Sequence, residues 1–162
     1  QLELGVIAPE QFEGYLAERF QATGRRIRPE AVQRLLRITR GHPYATQELA
    51  YFLWQATNRR QIADVARVEE ALTAVLRSEH AHFSLVWSRA SSAQRNLLQA
   101  LAQAPGHPLS SAYRRRFALP GPSTVQKALE ALEREELVVR SRGHAEISEP
   151  FLAEWIERAL AG

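Results

Sequence analysis

Cysteine is absent from the 162 residues, which excludes disulfides, thiolate metal sites and cysteine nucleophiles together. Methionine is absent as well. There is no initiator, and Gln1 is a large residue of the kind behind which initiators are retained. The chain therefore reads as a piece of a longer protein. No apolar run approaches about 18 residues, so no helix is expected to cross a membrane. No basic-then-apolar leader opens the chain. The expectation is a cytoplasmic protein without membrane contact. Two further residue types are almost missing. Of the 21 basic residues only Lys127 is lysine, and of the 18 acids only Asp64 is aspartate. A GC-rich genome accounts for that bias through codon usage as well as a thermophilic habit does.

Acidic residues are absent from one long stretch. Residues 80–129 contain no Asp or Glu but carry Arg89, Arg95, Arg114, Arg115, Arg116 and Lys127, a local charge of +6. Such a stretch is either a footprint for nucleic acid or a solvated face balanced in space by acids elsewhere. Glu130, Glu133, Glu135 and Glu136 follow at once. The remaining composition, 45% apolar and 24% charged with a net charge of +3, is that of a globular protein. A chain this long buries roughly 70% of its unfolded surface, so it needs no covalent staple.

The apolar spacing is helical through most of the chain. Residues 1–8 alternate weakly at Leu2, Leu4 and Val6 and read as an extended entry segment. Pro9 opens a helix with Phe12, Tyr15, Leu16 and Phe20, closed by Thr23-Gly24. Pro29 opens a second, with Val32, Leu35, Leu36 and Thr39 on one side and Gly41 as its C′ residue. Pro43 opens a third with Ala45, Leu49, Phe52, Leu53 and Ala56, stopping near Asn58. Asp64 caps a fourth, lined by Val65, Val68, Leu72, Val75 and Leu76 and fading towards Arg89. The pattern then changes. Ser91-Ser92 caps a helix with Leu97, Leu98 and Leu101. Pro105 to Pro108 is a turn. Ser110 or Ser111 starts a short helix with Tyr113 and Phe117. After Pro120-Gly121-Pro122, Ser123 or Thr124 is expected to cap a helix with Val125, Ala128, Leu129 and Leu132. Leu137 to Arg140 and Ala145 to Ile147 are β runs around a turn, and Pro150 begins a last helix with Leu152, Trp155, Ile156 and Leu160. The expected fold is mainly α: a helical bundle over residues 1–82, then a winged helix-turn-helix with a small β-hairpin over 83–162.

At this point a family resemblance enters. Residues 39–54, TRGHPYATQELAYFLW, resemble the helical lid of archaeal and bacterial ATPases of the AAA+ and STAND type. Residues 12–27, FEGYLAERFQATGRRI, look like the helix that opens such lids. Residues 123–140 and 147–160 look like the winged helix that closes the same proteins. The resemblance implies that Gly41, His42 and Pro43 lie over ATP or ADP in the parent protein. A tight turn, an apolar proline face and the free N–H groups of a helix start are suited to that task. Many AAA+ lids carry a sensor arginine just after this glycine. Tyr44 stands near that place here, with Arg40 before the glycine, which favours the STAND-like mode. Where family members have Asp-Pro near the last helix, this chain has Glu149-Pro150, expected to cap or pack.

The sequence holds no GxxxxGK[ST] loop and no acidic strand end to hold Mg²⁺. The chain is therefore expected to have no catalytic residues and no cofactor of its own, while the parent is expected to be an ATPase. His80 and His82, two apart on a helix, point to different sides, so no metal site is expected. Trp54, Trp87 and Trp155 sit in apolar helical patterns and are expected to pack. The expected partners are the N-terminal P-loop core of the parent chain and a protein effector, with DNA as the alternative. A DNA-reading winged helix would present Ser123, Thr124, Gln126 and Lys127 to the groove and Arg140 and Arg142 to phosphates. Three readings stand: a regulatory lid and winged helix of an ATPase, a transcription regulator's DNA-binding module, and an adaptor that makes only protein contacts.

Overall fold

The computed structural model describes residues 8–160, and the expected extended segment at 1–8 lies outside them except for its last residue. The chain divides into two compact units, residues 1–79 and 80–162.

The first unit contains α1 (Pro9–Ala22), β1 (Arg26–Ile27), α2 (Pro29–Thr39), α3 (Pro43–Ala56), β2 (Ile62–Ala63) and the start of α4 (Val65–Arg89). The first three helices open on proline. Proline fits there because the first helical N–H has no intrahelical acceptor. Asp64 caps α4, its Oδ1 accepting from the Arg67 N–H at 3.0 Å. The core is formed by Phe12, Leu16 and Phe20 of α1, Val32 and Leu35 of α2, Leu49 and Leu53 of α3, and Val68, Leu72 and Val75 of α4. One expectation on α2 shifts: Ala31 and Ile38 are buried, whereas Leu36 is only half-buried. Arg34 of α2 reaches Glu69 of α4 at 2.6 Å. The parallel pair β1–β2 was not foreseen, because two-residue strands leave no period to read. It pairs Arg26 with Ile62 and Ile27 with Ala63.

The second unit holds the end of α4, then α5 (Ser92–Gln103), α6 (Ser111–Arg116), α7 (Pro122–Arg134), β3 (Val138–Ser141), β4 (His144–Ile147) and α8 (Pro150–Leu160). Helix α5 packs on α7 and α8. It starts with a complete capping box, in which the Ser91 hydroxyl accepts from the Gln94 N–H while the Gln94 side chain accepts from the Ser91 N–H. Ser110 caps α6. The start of α7 differs from expectation: Gly121 is the N-cap residue and Pro122 takes the first turn, so neither Ser123 nor Thr124 caps. Proline at N1 wins because its φ is already helical and its missing N–H costs nothing there. Strands β3 and β4 form an antiparallel hairpin. Its two-residue tip, Arg142-Gly143, has positive φ at both positions (52° and 83°), the type I′ pattern that matches strand twist. Gly106 adds a bridge to Ala145 with paired bonds of 3.1 and 2.7 Å. Glu149 offers its carbonyl to Leu152 and Ala153, and Pro150 is buried beside it. The fold is therefore mainly α, with a helix-turn-helix and a β-hairpin wing closing the chain. No helix among the described residues is long and apolar enough to cross a membrane.

Candidate functional site

The α2–α3 corner is built from two consecutive left-handed residues, Arg40 (φ 54°) and Gly41 (φ 69°). Glycine tolerates this conformation freely, while arginine adopts it at a cost. The His42 N–H closes the turn on the Thr39 carbonyl at 2.9 Å, and His42 is the residue that precedes α3. Behind the corner, the buried hydroxyls of Thr39 and Thr46 meet at 2.8 Å. That bond ties the last turn of α2 to the first turn of α3. Pro43 is buried, Gly41 half-buried and His42 exposed. Of the three, His42 thus offers a side chain to solvent. Tyr44 is 71% exposed, with its ring 6.5 Å from that of His42. Tyr44 stands where a sensor arginine is expected, and an aromatic residue beside a histidine at a helix start is its signal in the sequence.

The second candidate surface is α7 with the wing. Ser123, Thr124 and Lys127 are exposed on the first turns, and Gln126 is half-buried. Gln126 donates to Glu130 at 2.6 Å. Arg140 is paired with Glu133 at 2.8 Å. Arg142 is exposed at the hairpin tip. The structure thus brings all six residues to α7 and the hairpin, and engages two of them with glutamates. The carboxylates beside Gln126 and Arg140 oppose the approach of a polyanion there.

The three tryptophans and their neighbours have structural partners. The Trp54 indole N–H donates to Thr23 Oγ1 at 2.8 Å. Trp155 is buried and donates to His80 Nδ1 at 3.1 Å. His82 lies against the Phe83 ring. Arg95 donates to the carbonyls of Trp87 and Ser88, closing the end of α4, so this member of the acid-free stretch has a structural task. Tyr113 donates from its hydroxyl to the Ala104 carbonyl at 2.7 Å. Among the described residues no group of three or more His, Asp or Glu side chains could hold a metal ion. A second concentration of arginines, not expected from the sequence, lies on the segments paired by β1 and β2. Acid-free runs at 19–29 and 49–63 were its signal.

Comparison with known proteins follows this geometry. Residues 81–158 match the family described as a probable winged helix domain. A Walker-type ATPase of Pyrococcus abyssi has a similar fold over 89% of this chain, with a TM-score of 0.64 and 16% sequence identity. The chain spans 40% of that protein's length. No curated protein matches the sequence. The second unit therefore has a winged-helix fold, the resemblance that the matched residues carry.

Proposed function

We propose that the chain is the lid and winged-helix portion of a STAND/AAA+ type P-loop ATPase, and that it couples the nucleotide state of the parent protein to a partner. The observation that carries this reading is the order of units. A helical unit followed by a winged helix, in one chain, shares its fold with part of a Walker-type ATPase. The corner at Gly41, His42 and Pro43 supports it locally. The α3 N-terminus begins there, with the Tyr44 and Ala45 amides in its first turn and His42 and Tyr44 exposed beside them. On this reading the P-loop core supplies the phosphate cradle and the chemistry. The lid covers one side of ATP or ADP, and the chain itself is not a catalyst. The winged helix contacts a protein effector.

Calorimetry on the 162-residue chain should show no saturable ATP or ADP binding in the micromolar range, because one side of a nucleotide site is too little to bind it. Micromolar binding would contradict the reading. In the full-length protein, His42→Ala and Gly41→Ala should weaken nucleotide affinity or alter turnover. His42→Ala is the cleaner of the two, because His42 is exposed and Gly41 holds a positive φ.

DNA as the partner of the winged helix ranks second. The exposed Ser123, Thr124 and Lys127 favour it, and the Gln126–Glu130 and Arg140–Glu133 pairs oppose it. Binding to random duplexes should be weak and salt-sensitive. Submicromolar duplex binding at physiological salt, lost on Lys127→Glu or on Arg140→Glu with Arg142→Glu, would reverse the ranking.

A further inference from the structure

Two acid-free segments of the first unit, 19–29 and 49–63, lie side by side because β1 and β2 pair. Three backbone bonds hold them together: Arg60 N–H to the Gly24 carbonyl at 2.7 Å, Arg26 N–H to Gln61 at 3.1 Å and Arg28 N–H to Ala63 at 2.9 Å. The segments carry Arg19, Arg25, Arg26, Arg28, Arg59 and Arg60, a charge of +6 with no acid between the members of either set. The pleat turns Ala63 inward and Arg26 outward. Arg26, Arg28, Arg59 and Arg60 are all exposed. Arg25 has a different task. Its Nε donates to the Thr57 carbonyl at 2.5 Å, and its guanidinium lies 4.2 Å from the centre of the Trp54 ring. Trp54 in turn stacks with Tyr51, centroids 6.3 Å apart and planes within 19°. Tyr51 is 55% exposed. A row of guanidinium, indole and phenol thus runs from Arg25, next in sequence to the exposed Arg26, to the exposed Tyr51.

We propose that this edge of the first unit binds single-stranded nucleic acid, with Arg26, Arg28, Arg59 and Arg60 on phosphates and Tyr51 stacking on a base. Guanidinium groups suit phosphate oxygens because their planar fork donates two parallel bonds. An exposed aromatic ring on the same unit favours a strand whose bases are unstacked over a duplex, whose bases are hidden. An acidic protein would match the charge but gives the Tyr51–Trp54 stack no task. The inference is independent of the proposed ATPase context, since none of its residues belongs to the α2–α3 corner or to α7 and the wing.

The test is fluorescence anisotropy of a labelled oligothymidylate of about 20 nucleotides with the whole chain, at several salt concentrations. Binding should weaken steeply with salt, since log K falls with log salt at about −0.7 per phosphate contacted. Arg59→Glu with Arg60→Glu should lower affinity at least tenfold and flatten that slope by about one to two. The milder Arg59→Gln with Arg60→Gln should flatten it in the same direction if the glutamate variant folds poorly. Tyr51→Ala should cost about tenfold, and Tyr51→Phe should restore binding, because stacking needs the ring and not the hydroxyl. Unaltered affinity in the arginine variants would overturn the proposal. So would tighter binding of a duplex of equal length, or displacement of the oligonucleotide by polyglutamate at equal charge concentration, which would assign the edge to an acidic protein.

Discussion

Thr39 and Thr46 are fully buried and satisfy each other across the α2–α3 corner. Replacing one hydroxyl leaves its partner buried with one bond fewer, whereas replacing both removes the demand altogether. Thr39→Val should therefore cost about 1–3 kcal/mol in urea unfolding, and Thr39→Val with Thr46→Val should cost less than the single change. Equal or additive losses would show that the pair acts through packing alone. Tyr113 gives a pH signature. Burial pushes its hydroxyl up to about 12 from 10.0, with Arg116 pulling the other way. The fold favours the neutral phenol, so this stabilisation is complete below about pH 10 and is lost as pH rises from there towards about 12. Thermal unfolding followed across that window should show a falling Tm, and Tyr113→Phe should make the fall shallower. At this scale the sequence was legible for apolar residues and partly silent for polar ones. Thr39 was placed on the buried side of α2, but its partner Thr46 lies seven residues on, across a turn, where no periodicity points. Pro43 was expected to show its ring to a nucleotide, yet it is buried, because the first turn of α3 faces the core of its unit.

Helix starts were readable wherever a side chain caps, as at Asp64, Ser91 and Ser110. They were ambiguous at α7, where Gly121-Pro122-Ser123-Thr124 offers two kinds of start and proline prevails. The β1–β2 pair and the Gly106–Ala145 bridge escaped for a shared reason: their information lies in long-range backbone bonds. Gly106 shows what such a bridge demands. A Cβ there would sit 2.9 Å from Tyr113 Cε2, and that ring is held by its bond to Ala104. Gly106→Ala should destabilise the protein by about 1–3 kcal/mol, measured by urea unfolding. No change would mean that the ring yields freely. The wing tip gives the opposite sign. Arg142 holds φ 52° in the first position of a type I′ turn, a place suited to asparagine. Arg142→Asn should raise Tm slightly. Gly143→Ala should lower it, because the position has φ 83° and its Cβ would press on His107 Nδ1 at 3.3 Å.

The change from plain helical spacing to helix, turn, helix and paired β runs foretold a helical unit and a winged helix. The described elements follow that order. The candidate sites were less legible, because a site depends on which charges neighbour which. Glu133 stands seven residues before Arg140, and only the fold makes them a pair. The two arginine-bearing segments of the first unit are separated by α2 and the start of α3, and β pairing joins them. The central claim concerns the α2–α3 corner: in the full-length protein it should close over a nucleotide held by a P-loop core. Amide hydrogen exchange of residues 40–46, followed with and without ADP, tests this most directly. The account predicts that ADP slows exchange there in the full-length protein and leaves the 162-residue chain unchanged. Identical exchange with and without ADP in the full-length protein would contradict it.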